Sequence, residues 1–113
     1  MISKWSIYLS REQNLKSKFR SSKVWKEHRK KVYHKDGGKD YITGHKLLKG
    51  YNCHHLDLRS ENYKKLEDIN HFISLNKQTH ETVHFLYRYY EKDPTVLDRL
   101  REVLDKMKEY SNG

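Results

Sequence analysis

Two stretches decide how this chain reads: Tyr51-Asn52-Cys53-His54-His55-Leu56, and further on His71-Phe72-Ile73-Ser74-Leu75-Asn76-Lys77-Gln78-Thr79-His80-Glu81-Thr82-Val83-His84. The first follows the break at Lys49-Gly50 and reads as a strand over residues 51–58, centred on Cys53-His54-His55-Leu56. The polar run Arg59 to Asn62 then reads as a loop. His71 to Leu75 has the aromatic and β-branched content of a second strand. Asn76 is a good helix-starting residue, and the helix is predicted to run to about Tyr90. Strand, strand, helix is a compact way to bring distant side chains to one point.

Five of the eight histidines fall between positions 54 and 84. His80 and His84 are one helical turn apart, so both imidazoles share a face and can grip one metal ion. Alone, a His-x-x-x-His pair is more often surface decoration than a ligand pair. Two strands leading into it, the first with adjacent imidazoles, make the metal reading much stronger.

Residues 1–20 show no clear period and read as a basic arm, with a short ordered piece at Trp5–Leu9. Ser21 or Ser22 then caps a helix in which Val24, Trp25, His28 and Val32 recur at helical spacing. The other face carries Lys23, Lys26, Lys30 and Lys31, and Gly37-Gly38 ends it. Asp40-Tyr41-Ile42 reads as a strand and Thr43-Gly44 as a turn. Asp93-Pro94 opens a last helix. Its stripe of Val96, Leu97, Leu100, Val103, Leu104 and Met107 is expected on the domain's own core, a dimer interface being the lesser alternative. The fold class is thus α+β: an arm over 1–20, then one domain over 21–113 whose ββα core spans about 51–91.

Composition bounds the partners. The chain has 113 residues, enough for one modest core. Lys and Arg number 24 against 15 Asp and Glu, a net charge of +9. Residues 1–40 hold 12 of the basic and 4 of the acidic residues, so nearly all the excess lies in the first third. A local basic block is what a phosphate-neutralising surface needs, although it also simply keeps a protein in solution. The chain contains no alanine, so its helices depend on packing and charge pairs more than on propensity. Cys53 is the single cysteine, which excludes an internal disulfide and a Cys-rich zinc ribbon. Met1–Trp5 lacks the apolar run of a signal peptide, and nothing downstream has the length of a membrane span. A reducing, cytoplasmic setting without membrane contact is the expectation.

The segment Tyr41–His84 resembles the HNH (ββα-metal, or His-Me finger) endonuclease family, with a histidine layout closest to the colicin-type DNases. That pattern places His-His on the first strand, an Asn opening the second, and His-x-x-x-His on the helix. Here the matching residues are His54-His55, His71 and His80 with His84. The run Ser22-Lys23-Val24-Trp25-Lys26 through Arg29, followed by Tyr41-Ile42-Thr43-Gly44, also resembles the lead-in helix and Gly turn of phage-borne members. The likeness covers about residues 20–85. Two departures stand out: the family's Cys-x-x-Cys pairs are absent, and His71 takes the place of the Asn, with Asn70 one step away.

The resemblance implies a DNA endonuclease acting inside a host cell. His55 would be the general base and His71 an orienting group, in catalytic roles. His54, His80 and His84 would hold one divalent metal (Zn, Mn, Ni, Co or Mg); three imidazoles suit the transition metals better than Mg. Asp57 or Asn70 would support the site or add a ligand. Lys23, Lys26, Arg29, Lys30 and Arg59 would contact DNA phosphates. Base and ligand labels of His54 and His55 are exchangeable at this stage. Neighbours on a regular strand point to opposite faces, so both can serve one phosphate only if the strand ends, bends or bulges there. The rival reading is a catalytically silent, metal-stabilised DNA-binding module, monomeric or dimeric. His28 and His45 are expected to be ordinary surface or partly packed groups. Tyr87, Tyr89 and Tyr90 are expected in the core rather than stacked on bases.

Overall fold

The computed structural model describes residues 4–66 and 68–112, with backbone only at 4–10, 12 and 60. Among the described residues, four helices and one two-stranded antiparallel sheet make an α+β architecture: α1 (Lys4–Arg20), α2 (Lys23–Lys35), β1 (Asn52–His55), β2 (Phe72–Leu75), α3 (Lys77–Tyr90) and α4 (Val96–Asn112). Short 3-10 turns at Ser60–Asn62 and Ile69–His71 lie between the strands. The chain divides into two compact units at Lys77/Gln78, within the first turn of α3.

The expected arm is a helix from Lys4 onward. It was illegible as periodicity because it has no apolar stripe, yet Lys, Arg, Gln, Glu and Leu are good helix formers without one. Met1, Ile2 and Ser3 lie outside the described residues. Ser22 is the cap of α2: its hydroxyl accepts the Trp25 N–H at 3.2 Å. His28 and Val32 are buried and Trp25 is half-buried, whereas Val24, expected on the same face, is exposed.

Phe72, Leu75, Val32 and Leu47 are the buried apolar side chains of the first unit. Aromatic rings extend this small core outward: Trp25 lies edge-on to Phe72 (6.3 Å between centroids) and tilted against Phe19 (5.9 Å), which meets Tyr63 at 5.5 Å. Rings do here what a larger aliphatic core does elsewhere.

Asp40-Tyr41-Ile42 is a turn, not a strand. The reason is Asp40, whose buried carboxylate accepts the N–H groups of Ile42 and Thr43, both at 2.9 Å, and so folds the backbone onto itself. Gly44 follows at φ 73°, a left-handed conformation that glycine adopts without a Cβ penalty. Asp40 also accepts the Asn76 N–H at 2.9 Å, which ties this turn to the junction of β2 and α3. The Asn76 side chain accepts the Leu48 N–H at 2.8 Å and donates to the Lys46 carbonyl at 3.0 Å. It thus fastens the 46–48 segment instead of capping α3.

In the second unit, Asp93 accepts the Thr95 N–H at 3.1 Å and pairs with Arg99 at 2.8 Å. The last helix therefore starts at Val96, two residues beyond Pro94. Its stripe is not in a core: Leu97, Val103, Leu104 and Met107 are 45–58% exposed. Tyr87, Tyr89 and Tyr90 on α3 are exposed as well, contrary to their expected burial.

Candidate metal centre

β1 and β2 pair antiparallel in a regular register, with Cys53 opposite Ser74, His54 opposite Ile73 and His55 opposite Phe72. No bulge interrupts the pair, and β1 ends at His55. Alternation along the strand therefore separates the two imidazoles. His54 is buried. His55, on the other face, stacks on Phe72 with ring centroids 4.2 Å apart and planes 15° apart. Phe72 is held from a second side by His28, edge-on at 4.3 Å. His28 is thus a core residue, not a surface one.

Burial lowers the affinity of His55 for a proton; the nearby Asp57 carboxylate opposes this and His71 adds to it. His55 consequently favours its neutral, proton-accepting form.

On α3, the Nε2 atoms of His80 and His84 lie 3.1 Å apart, with the rings edge to face at 4.5 Å. This follows from the four-residue spacing on one helix. Two such nitrogens either share a proton or turn their lone pairs to a common cation. Burial and the neighbouring His84 push the His80 pKa down, partly offset by Glu81, so lone pairs are favoured here too.

The ring nitrogens of His54, His80 and His84 all lie within 4.8 Å of one another, a grouping fit to hold a metal ion. For comparison, two imidazoles on one tetrahedral zinc, with bonds of ~2.05 Å, have nitrogens roughly 3.3 Å apart. The His80–His84 pair already has that spacing. The donor set is all nitrogen, which fits a borderline transition ion better than Mg²⁺.

Asp57 is not part of this trio. Its carboxylate accepts from Nε and Nη2 of the Arg59 guanidinium, at 3.0 and 2.9 Å, from the Arg59 backbone N–H at 3.0 Å and from the Asn62 amide at 2.7 Å. The Arg59 hydrogen bonds and that of Asn62 hold its pKa far below the usual carboxylate range. It is a permanent anion that fixes the loop after β1. Asn62, buried beside it, was missed by sequence reading because a loop Asn carries no signal of its partner.

His71 closes the 3-10 turn before β2. Its side chain is largely exposed, 3.5 Å from Asp68, while its carbonyl accepts the Leu56 N–H at 2.8 Å and extends the strand pair. Asn70 is exposed and gives its N–H to Asp68 at 2.9 Å.

Lys23, Lys26 and Lys30 are exposed along one face of α2, with Lys23 3.8 Å from Glu27. Arg29 points elsewhere: its guanidinium lies 3.7 Å from the Tyr51 ring centroid and donates to the Tyr51 carbonyl. That fastens α2 to the entry of β1. Comparison with protein-family models, with curated proteins and with solved structures found no match for this chain.

Proposed function

We propose that this chain is a metal-dependent DNA endonuclease of the HNH type, hydrolysing phosphodiester bonds. The observation that carries the reading is the convergence of His54, His80 and His84 ring nitrogens within 4.8 Å, with His55 next in sequence and biased toward its neutral form. A structural metal site is ordinarily closed by a fourth protein ligand, whereas three ligands leave a position open for water or phosphate. The fourth imidazole is what a hydrolytic centre adds.

In this reading His54, His80 and His84 hold one divalent ion. When bound, that ion would neutralise charge on the scissile phosphate and stabilise the departing oxygen. His55 is the last residue of β1, and in this reading the end of the strand is what lets it accept a proton from the attacking water although its ring stacks on Phe72, on the face away from His54. Lys23, Lys26 and Lys30 neutralise backbone phosphates, a sequence-independent contribution matching the net charge of +9. Arg59, paired with Asp57, can offer a phosphate only the guanidinium edge that the carboxylate leaves over.

The test is a plasmid-cleavage assay across Zn²⁺, Mn²⁺, Ni²⁺, Co²⁺ and Mg²⁺. His55→Ala is expected to bind metal and to lose at least ~10²-fold in rate. Metal at about 100 times its Kd should stabilise the parent protein by ~2.7 kcal/mol, and His80→Ala should abolish that gain. If His55→Ala cuts like the parent, His55 is not the base. If no metal supports cutting while chelation still destabilises the fold, the chain is a silent DNA-binding module.

A further inference from the structure

We propose that α4 is an interfacial helix that lies on an anionic lipid surface. This inference is independent of the nuclease reading. It starts from the exposed stripe: Leu97, Val103, Leu104, Met107 and Tyr110 are 45–81% exposed, with Val96 and Leu100 half-buried between them. At about 100° per residue, these seven side chains cover roughly 140° of the helix circumference.

What the stripe meets is written in the order of charges around it. Arg101 and Lys108 border one edge of the apolar arc, and Lys106 and Arg99, the latter paired with Asp93 at 2.8 Å, border the other. Asp98, Glu102, Asp105 and Glu109 all fall on the side opposite the stripe. The i,i+4 pairs Arg101–Asp105 (3.9 Å) and Glu102–Lys106 (2.9 Å) run from rim to back, as this order requires. From Val96 to Tyr110, apolar face, basic rims and acidic back thus follow one another without a single exchange.

A second copy of the helix fits this order poorly, because basic rims would face basic rims in either orientation. A partner helix touches only a narrow seam, and nothing in that contact would confine the carboxylates to the far side. A flat anionic surface accounts for all three zones. Aliphatic groups enter the acyl boundary, Arg and Lys stems reach out to headgroup phosphates, and carboxylates stay in water. The helix lies on such a surface without crossing it; no helix among the described residues is long and apolar enough to cross a membrane.

The full chain is floated with vesicles of phosphatidylglycerol and phosphatidylcholine, and with phosphatidylcholine alone. At least tenfold stronger partition into the anionic vesicles is expected. The double variant Leu104→Gln/Met107→Gln, on exposed positions, should lose that partition tenfold or more while keeping its helicity and its DNA affinity. In a second measurement, Tyr110→Trp emission, with the parent Trp5 and Trp25 signal subtracted, should shift to the blue on anionic vesicles. Failure of the parent to float, equal flotation of the double variant, or an unshifted emission overturns the proposal. So does a dimer in vesicle-free solution that the double variant dissociates, since a second copy would then cover the stripe.

Discussion

His28 is a buried imidazole whose Nε2 has no hydrogen-bond partner among the described residues. Burial, then the positive Lys31 and the nearby His55, push its pKa below the ordinary value. The unfolded chain takes up this proton near pH ~6.5, the folded chain only at lower pH. Between the two, the unfolded state holds more protons, so stability is full above pH ~6.5 and falls as the pH drops through the window. His55 and His80 are shifted the same way. Replacing His28 by Leu should flatten the acid limb of a pH 5–8 thermal-unfolding series in chelator, and should change neutral-pH stability by less than ~1.5 kcal/mol. An unaltered acid limb would assign the sensitivity to the other histidines. At this scale the grouping of His54, His80 and His84 was legible, because histidine is a rare residue type and two of the three stand one helical turn apart. Their supporting partners were not. Arg29 and Lys30 look alike in sequence, yet only the first finds an aromatic ring and a carbonyl, both on Tyr51, beyond its own helix.

At the scale of elements, β2 and the residue that follows it take their place from a turn distant in sequence. Asp40 and Asp36 reach the strand from the α2 end: Asp36 accepts the Ser74 N–H at 2.7 Å and Asp40 that of Asn76. Because Asp40 satisfies three backbone donors in a buried place, Asp40→Ala should cost about 2–4 kcal/mol in urea unfolding, and Asp40→Asn distinctly less. A loss under ~1 kcal/mol for the alanine variant would mean that water replaces the carboxylate. The same residue explains why Asp40-Tyr41-Ile42 was misread. Tyr and Ile favour strands by their side chains, but a preceding Asp offers the backbone a nearer acceptor, and the nearer bond wins. β1, β2 and α3 were legible from residue type and flanking breaks, the Gly50 break before β1 and the aromatic and β-branched run of β2 above all, and not from burial, since α3 buries none of its residues. Their ends were not, since strand pairing stops where the partner stops, at Asn52–His55 against Phe72–Leu75.

For the molecule as a whole, the net positive charge and the α4 stripe lie in different parts of the sequence. Most of the +9 lies before residue 41, whereas the exposed aliphatic stripe lies beyond residue 95. If Lys26 and Lys30 each neutralise a phosphate, the double alanine variant should bind every DNA sequence more weakly. Its log Kd against log salt slope should fall by about 2. An unchanged slope in a salt titration would remove the α2 face from the interface. The α4 stripe shows the limit of pattern reading: a hydrophobic period proves that a helix has a face to cover, not that its own domain covers it. A last consequence concerns the one thiol in the chain. Burial pushes the Cys53 pKa up to about 12, leaving almost no thiolate at neutral pH. The native protein is therefore already a blank background for sulfur-directed probes, so a cysteine introduced anywhere on its surface would take up a fluorophore or spin label without the natural one first being removed.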